Sequence, residues 1–341
     1  MSFAARILTV IGLLALALLA WQLRQVVLLL FGGLIFASVL AALAAMLRRM
    51  SNLSRRWAVA TAVVLLLVTM TAIGWLAGAP LADQLSTMQQ RLPEALAAVE
   101  NWLNGTPLGL RALDLWNTTS QSDISWSRVV GAAGMTLGAV GSLGLMLLLG
   151  IYLAAEPALY RKGFLSLVPP AQRPLAVQAL EACADALNRW LKGQGVSMLF
   201  VGTATGLGLA LLGIPLALIL GLIAGLLAFV PFFGPIASGL LAVLLAFSEG
   251  PQMALYVTGL CVLIQQIEGN LLMPFIQRWA VQLPPVLGLL SVVIFAGLFG
   301  LAGVLFATPL MVMLMVLVKK LYVENLSPAS AGGMPDDSDS H

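Results

Sequence analysis

The amino-acid sequence predicts an all-α polytopic membrane protein with about eight hydrophobic elements, two of them long enough to be broken or re-entrant, and an extracytoplasmic helical insertion. Three observations carry that expectation. Sixty per cent of the 341 residues are apolar and only 9% are charged, whereas a soluble domain is about half apolar and a quarter charged. Mean hydropathy is +1.01. The charges are also spaced so that the runs between them are long enough, at about 20 helical residues per ~30 Å of hydrocarbon, to cross a bilayer.

The charge-free runs are residues 7–23, 25–47, 57–82, 129–155, 193–248, 250–267 and 279–318. Two of them exceed one crossing. Run 193–248 offers breaks at Gly213-Ile214-Pro215 and at Pro231-Phe232-Phe233-Gly234-Pro235, because proline removes an amide donor and clashes with the preceding turn. Run 279–318 holds Pro284-Pro285, then Gly297, Gly300 and Gly303, then Pro309. The elements are therefore 7–23, 25–47, 57–79, 129–154, 196–212, 216–248, 250–273 and 286–318. The sixth and eighth are each about 50 Å long if straight, so each is either a tilted, broken helix or a re-entrant hairpin. The first run is read as a span rather than a cleaved leader, because a second apolar run starts directly after Arg24-Gln25.

Between these runs lie segments of other character. Residues 80–128 form the extracytoplasmic insertion, with Leu81, Leu85, Met88, Leu92, Leu96, Val99 and Leu103 at three-and-four spacing, an apolar stripe that needs a partner. Pro93 is expected to start a second helix there and Gly105 to end it. Residues 155–195 form a cytoplasmic segment. Within it, 174–192 read as an interfacial amphipathic helix, with Val177, Leu180, Ala184, Leu187 and Leu191 on one face, Gln178, Glu181, Asp185, Asn188 and Lys192 on the other, and Trp190 at its end. Residues 1–79 hold the first three spans, 129–154 the fourth, 196–326 a C-terminal membrane core, and 327–341 a polar tail expected to be disordered. With the N-terminus inside, twelve Lys and Arg fall on the cytoplasmic side, leaving Arg24, Arg91, Arg111, Arg128 and Arg278 outside. Both termini are thus expected in the cytoplasm of a bacterial cell with the chain in the inner membrane. Making both long elements re-entrant keeps the C-terminus inside but moves Glu249 from inside to outside.

The chemistry that is absent narrows the function. The one histidine is His341, at the end of the tail, so no buried imidazole is on hand as base or ligand. No His-Glu-x-x-His helix and no Gly-x-x-x-x-Gly-Lys-Ser/Thr loop is present. Every Asp lies outside the apolar runs, which removes an intramembrane aspartyl pair. Cys183 and Cys261 are too few and too far apart for a disulfide framework or a metal knuckle. The net charge of +3 resolves into residues that punctuate apolar runs, so nucleic acid is not an expected partner. The chain is read as non-enzymatic and without cofactor or metal.

An ionisable side chain inside a span costs several kcal/mol on insertion scales, and Glu268 is the sharpest case. It sits in Gln265-Gln266-Ile267-Glu268-Gly269-Asn270 after an apolar stretch. Its carboxyl could be a neutral hydrogen-bonding group, exchange a proton or bind a cation. In the plainer reading it marks a helix end, with Gly269 and Asn270 capping and Pro274 stopping it. Pro231, Gly234 and Pro235 form the other candidate, a broken helix whose freed backbone groups can hold ions or polar solutes, or else a packing kink.

Taken together, Trp190-Leu191-Lys192-Gly193-Gln194, Gly213-Ile214-Pro215, Pro231-Phe232-Phe233-Gly234-Pro235, Gln266-Ile267-Glu268-Gly269-Asn270 with Pro274, and Gly300-x-x-Gly303 leading to Pro309 resemble the autoinducer-2 exporter-like (AI-2E) transporters, or PerM-type permeases. The resemblance implies about eight membrane elements, an insertion between the third and fourth, and homo-oligomers. It also implies export of the signal autoinducer-2 or, in some similar proteins, exchange of sodium or lithium for protons. Leu283-Pro284-Pro285 stands where members often carry a histidine before proline, so no proton step through such a residue carries over.

The expected function is therefore a facilitative or gradient-driven exporter of a small polar molecule such as autoinducer-2. Glu268, Gln265, Gln266 and Asn270 would line the path, and Pro231, Gly234, Pro235 and Pro274 would form a broken-helix gate. A sodium or lithium/proton antiporter is the alternative, and a non-transporting membrane scaffold that docks a partner on the Leu81 to Leu103 stripe is the alternative of another class. The expected partners are the lipid bilayer, the solute, H+ or Na+, and further copies of the chain.

Overall fold

The computed structural model describes residues 22–51, 53–105, 137–231, 233–278 and 284–323. The expected first span 7–23 up to its last two residues, the second half of the insertion, the beginning of element 129–154, Phe232, Leu283 and the polar tail lie outside the described residues. Those described are helical and contain no strand. In chain order they form α1 (Arg24–Met50), α2 (Arg55–Asn104), α3 (Leu137–Ala155), α4 (Pro157–Ser166), α5 (Arg173–Leu211), α6 (Ala217–Leu227), α7 (Phe233–Ala246), α8 (Pro251–Ile267), α9 (Met273–Gln277) and α10 (Pro285–Val318). Among them, four helices are long and apolar enough to cross a membrane, or five if α3 and α4 count as one bent span. This is a helical membrane protein.

Charge marks one end of the bundle. Arg48 and Arg49 close α1. Arg55 Nε donates to the Ala154 carbonyl at 3.1 Å, and Arg56 pairs with Glu156 at 2.9 Å. Arg161 of α4 pairs with Glu181 of α5 at 2.9 Å, so the starts of α2, α4 and α5 gather at this basic end. From there α1 packs closely on α3: a β-carbon on Gly33 would lie 2.7 Å from Leu149, and one on Gly150 would lie 2.7 Å from Phe36. Helix association without a hydrophobic driving force depends on such close backbone approach.

The expected interfacial helix 174–192 is not a separate element. It is the first half of α5, which runs unbroken from Arg173 to Leu211. No proline interrupts it after Pro174, and its buried positions, Ala179, Cys183, Ala186, Leu187 and Trp190, continue in register into Gly193, Gln194 and Ser197. The face is held by protein: Leu187 and Trp190 share a core with Phe31 of α1 and with Phe306 and Val312 of α10. α2 likewise passes through Pro80 and Pro93 as one helix to Asn104, so Pro93 starts no second helix, whereas Gly105 does end it.

The two long elements are both broken. In element 216–248, α6 and α7 have 11 and 14 residues, about 16 and 21 Å, each short of a crossing. Leu216, Ala217 and Leu220 from the start of α6 nevertheless share one core with Ala242, Leu245 and Ala246 from the end of α7. A straight helix would hold those ends some 40 Å apart, so the element is a helical hairpin. Gly234 lies so near the Leu227 carbonyl that a β-carbon there would collide with it. In element 286–318, Gly300 adopts φ 64° and ψ −145°, a backbone that favours glycine. The bend brings Gly303 against Phe295, eight residues back, although the two would be ~12 Å apart along a straight helix.

The hairpin fits between α5 and the far half of α2. Gly202 and Gly206 of α5 face Gly225 and Gly221 of α6 in antiparallel order, close enough that a β-carbon on Gly221 would lie 2.7 Å from the Gly206 α-carbon. At the hairpin's open end, Gln84 of α2 accepts a hydrogen bond from Ile219 N–H at 2.9 Å, Trp102 meets Phe247 with ring centroids 5.9 Å apart, and Arg91 pairs with Glu249. Leu81, Met88 and Leu92 pack on the same core around Ala95, which is fully buried, while Leu85 points outward. The partner of the Leu81 to Leu103 stripe is thus this chain's own hairpin. Glu249 shares an end with Arg91, as expected if the element reverses.

Close helix packing predicts that Gly221→Leu lowers thermal stability in detergent by about 1–3 kcal/mol, the usual cost of overpacking. Gly141→Leu, where an added β-carbon meets nothing within 4 Å, should leave the melting temperature unchanged. Equal effects would show that the α5–α6 contact is looser than described.

Candidate functional site

The hairpin's turn reaches α5 near its middle, at Trp190–Ser197. Residues 228–231 leave the helix with Ala228, Phe229 and Val230 N–H still bonded to carbonyls of the last turns of α6. α5 meets this turn with Trp190, Gln194 and Ser197, which at spacings of four and three share one face of a helix. Trp190 packs edge-on against Phe229 with ring centroids 5.6 Å apart. Gln194, 7% exposed, donates its side-chain amide to the Ala228 carbonyl. A side-chain donor thus serves a backbone acceptor close to where the helix stops, which an apolar surrounding makes expensive to leave unpaired.

One turn further along α5, Ser197 is fully buried and donates its hydroxyl to Glu268 Oε1. Glu268 is 8% exposed. It continues the buried face of α8, on which Ala254, Val257 and Ile264 precede it. Regular α-helix stops at Ile267 with Glu268 at its C-cap, but the winding does not end there as the plainer reading expected. It widens into a π turn over Glu268–Leu272 and continues as α9 to Gln277. Pro274 gives the physical reason: it has no N–H, and its ring would strike the carbonyl four residues back in a regular helix. Instead Met273 N–H reaches the Glu268 carbonyl across five residues. Such π turns recur at functional sites.

The other expected path residues are placed differently. Gln265, Gln266 and Asn270 are exposed, and Asn270 Nδ2 donates to Gln266 Oε1 at 2.7 Å. The single chain therefore brings Glu268 to Ser197 and leaves three amides on its outer surface. Pro231, Gly234 and Pro235 lie at the hairpin turn, with Gly234 buried and the Pro235 carbonyl accepting from Ser238 at 3.3 Å. Pro274 belongs to α9, a different element.

Ser197 and Gln194 were not among the residues singled out for the path, although Gln194 lies in the stretch that carries the family resemblance. Their signal is the spacing from Trp190, which puts two polar side chains on the stripe that also carries Ala186 and Leu187. A carboxyl with a hydroxyl donor, beside an amide that grips a helix turn, can hold a polar solute or cation, or take up a proton. Replacing Ser197 by Ala should destabilise the protein by about 1–3 kcal/mol, the cost of leaving a buried acceptor unserved. Glu268→Gln, whose amide oxygen can still accept from Ser197, should cost less. Thermal unfolding in detergent compares the two, and an unshifted Ser197→Ala would remove the bond from the account.

Comparison with known proteins identifies the family. The chain is 33% identical over 144 residues to a transport protein of Bacillus subtilis, YueF, covering 42% of this chain and 39% of that one. It is 33% identical over 150 residues to the permease PerM of Escherichia coli, covering 42% and 41%. Similarity to a transport protein of Synechocystis, sll0060, is 25% over 279 residues, covering 77% and 79%. The matches to YueF and PerM thus span less than half of those relatives, and the three names specify transport or permease without a substrate. The profile described as AI-2E family transporter matches residues 10–322. With that match over nearly its whole length, the chain belongs to the AI-2E transporter family.

Proposed function

We propose that this protein moves a small polar molecule such as autoinducer-2 out of the cell across the bacterial inner membrane, with the layer formed by Gln194, Ser197, Glu268 and the turn at Pro231–Pro235 as its gate. The observation that carries the reading is the buried Glu268 carboxyl bonded to Ser197. An acid kept at a cost among apolar helices marks a path or a partner. The hairpin supplies the second part, a helix broken inside the bundle. For the gate to open, Gln194 releases the Ala228 carbonyl, and the freed amide and carbonyl both become available to solute or water.

Charge supports an orientation with both termini in the cytoplasm. If both long elements re-enter, Glu249 joins Arg91 outside and Arg278 moves inside, which turns twelve cationic residues against five into thirteen against four. The exposed Gln265, Gln266 and Asn270 support assembly into a homo-oligomer, since amides facing lipid are unfavourable and a neighbouring copy or a water-filled path would cover them. The scaffold reading loses its main feature, because the Leu81 to Leu103 stripe is occupied by α6 and α7 of the same chain.

A sodium or lithium/proton antiporter is the second reading, favoured by Glu268 as the single buried acid among the described residues. Purified protein in vesicles separates the two when flux is measured under an imposed proton gradient, a sodium gradient and none. Under the exporter reading, Glu268→Gln keeps much of the autoinducer-2 flux and Glu268→Leu lowers it by about tenfold or more. Under the antiporter reading, Glu268→Gln abolishes cation-driven proton movement. Wild-type rates for Glu268→Leu in every assay would remove Glu268 from the mechanism.

A further inference from the structure

The corner where α3 meets α4 carries a feature that the transport site does not use. α4 turns 90° from α3, so it lies across the ends of the spans at the basic end. At about 100° per residue its ten residues divide between two faces. One face, through Pro157, Arg161, Lys162, Leu165 and Ser166, lines an open pocket of about 670 Å³ that Arg173 borders from the start of α5. The rest of its surface presents Leu159 about 60° around from Lys162, Phe164 about 60° from Arg161, and Tyr160 between them; they are 59%, 52% and 42% exposed, and Leu167 follows at 83%.

The charges of the pocket are only partly used. Arg161 is paired with Glu181. Arg173 donates Nε to the Val168 carbonyl at 3.2 Å and makes no ion pair among the described residues. Lys162 makes no ion pair among the described residues. A short helix with exposed apolar side chains flanking cations around a pocket is the pattern of a segment lying in a membrane interface. There its apolar side chains reach acyl carbon while its cations stand at phosphate level. A soluble anion would satisfy the cations and leave Leu159, Tyr160 and Phe164 uncovered. A phospholipid covers both.

We propose that this pocket binds the headgroup of an anionic phospholipid, with Lys162 and Arg173 pairing with its phosphate and Leu159, Tyr160 and Phe164 seated among acyl chains. The site is independent of the solute path, so its test reads lipid binding and not flux. Purified full-length protein is titrated in mild detergent with short-chain phosphatidylglycerol, short-chain phosphatidylcholine and inorganic phosphate, and retention is read by native mass spectrometry. Phosphatidylglycerol should bind in preference to phosphatidylcholine. Lys162→Gln and Arg173→Gln should each weaken it about fivefold, as expected for one cation near an anionic surface. Phe164→Ser should weaken it as well, whereas Arg189→Gln, further along α5 and outside the pocket, should not. The proposal is overturned if Arg189→Gln weakens binding as much as Lys162→Gln, if the two lipids bind alike, or if inorganic phosphate displaces phosphatidylglycerol while Phe164→Ser has no effect.

Discussion

A chain that reverses direction within an apolar bundle leaves carbonyl groups at its turn without helical donors, and lipid offers none. In this protein the turn between α6 and α7 meets that requirement through Gln194, which reaches from α5 to the Ala228 carbonyl, while Trp190 closes on Phe229 beside it. The rest of the arrangement follows from holding the turn there. α6 must lie along α5, which the facing glycines at 202, 206, 221 and 225 allow. α7 must return beside α6, and its far end then meets α2 at Trp102, Arg91 and Ala95. The position of Ser197, one turn from Gln194, finally decides what faces Glu268.

Much of this was legible in the sequence, for identifiable reasons. Among the described residues, charge spacing located the apolar elements, since a charge in hydrocarbon is costly enough to be excluded almost everywhere. Prolines and glycines at Gly213, Pro231, Gly234 and Gly300 marked the breaks, because no other residues force or permit those backbones as readily. The apolar stripe from Leu81 announced a partner. Its periodicity could not say which one, since a stripe records that a face is covered and not by what. Pro93 and the 174–192 segment misled for a related reason: a proline on the exposed side of a long packed helix is tolerated, and an amphipathic pattern looks the same whether its apolar face meets lipid or protein.

The site was legible at one residue and obscure at its neighbours. Glu268 stood out by its cost alone. The three amides were grouped with it for their closeness in sequence, yet Glu268 turns inward to α5 and they turn outward. Gln194 counted only within the family resemblance and Ser197 not at all, because a serine and a glutamine near the start of an apolar run are unremarkable until Trp190 is seen to share their face. Their role depends on which segment folds back against them, and that is a property of the hairpin.

The hairpin is therefore the claim to measure first. In a variant lacking Cys183 and Cys261, spin labels at Leu218→Cys and Ser248→Cys would report the separation of the ends of α6 and α7 by pulsed electron resonance in lipid. A reversed element places packed helices ~10 Å apart and gives about 25 Å or less with the label arms included. A separation near 45 Å, the length of thirty helical residues, would mean that the element crosses the membrane as one helix and would contradict the account.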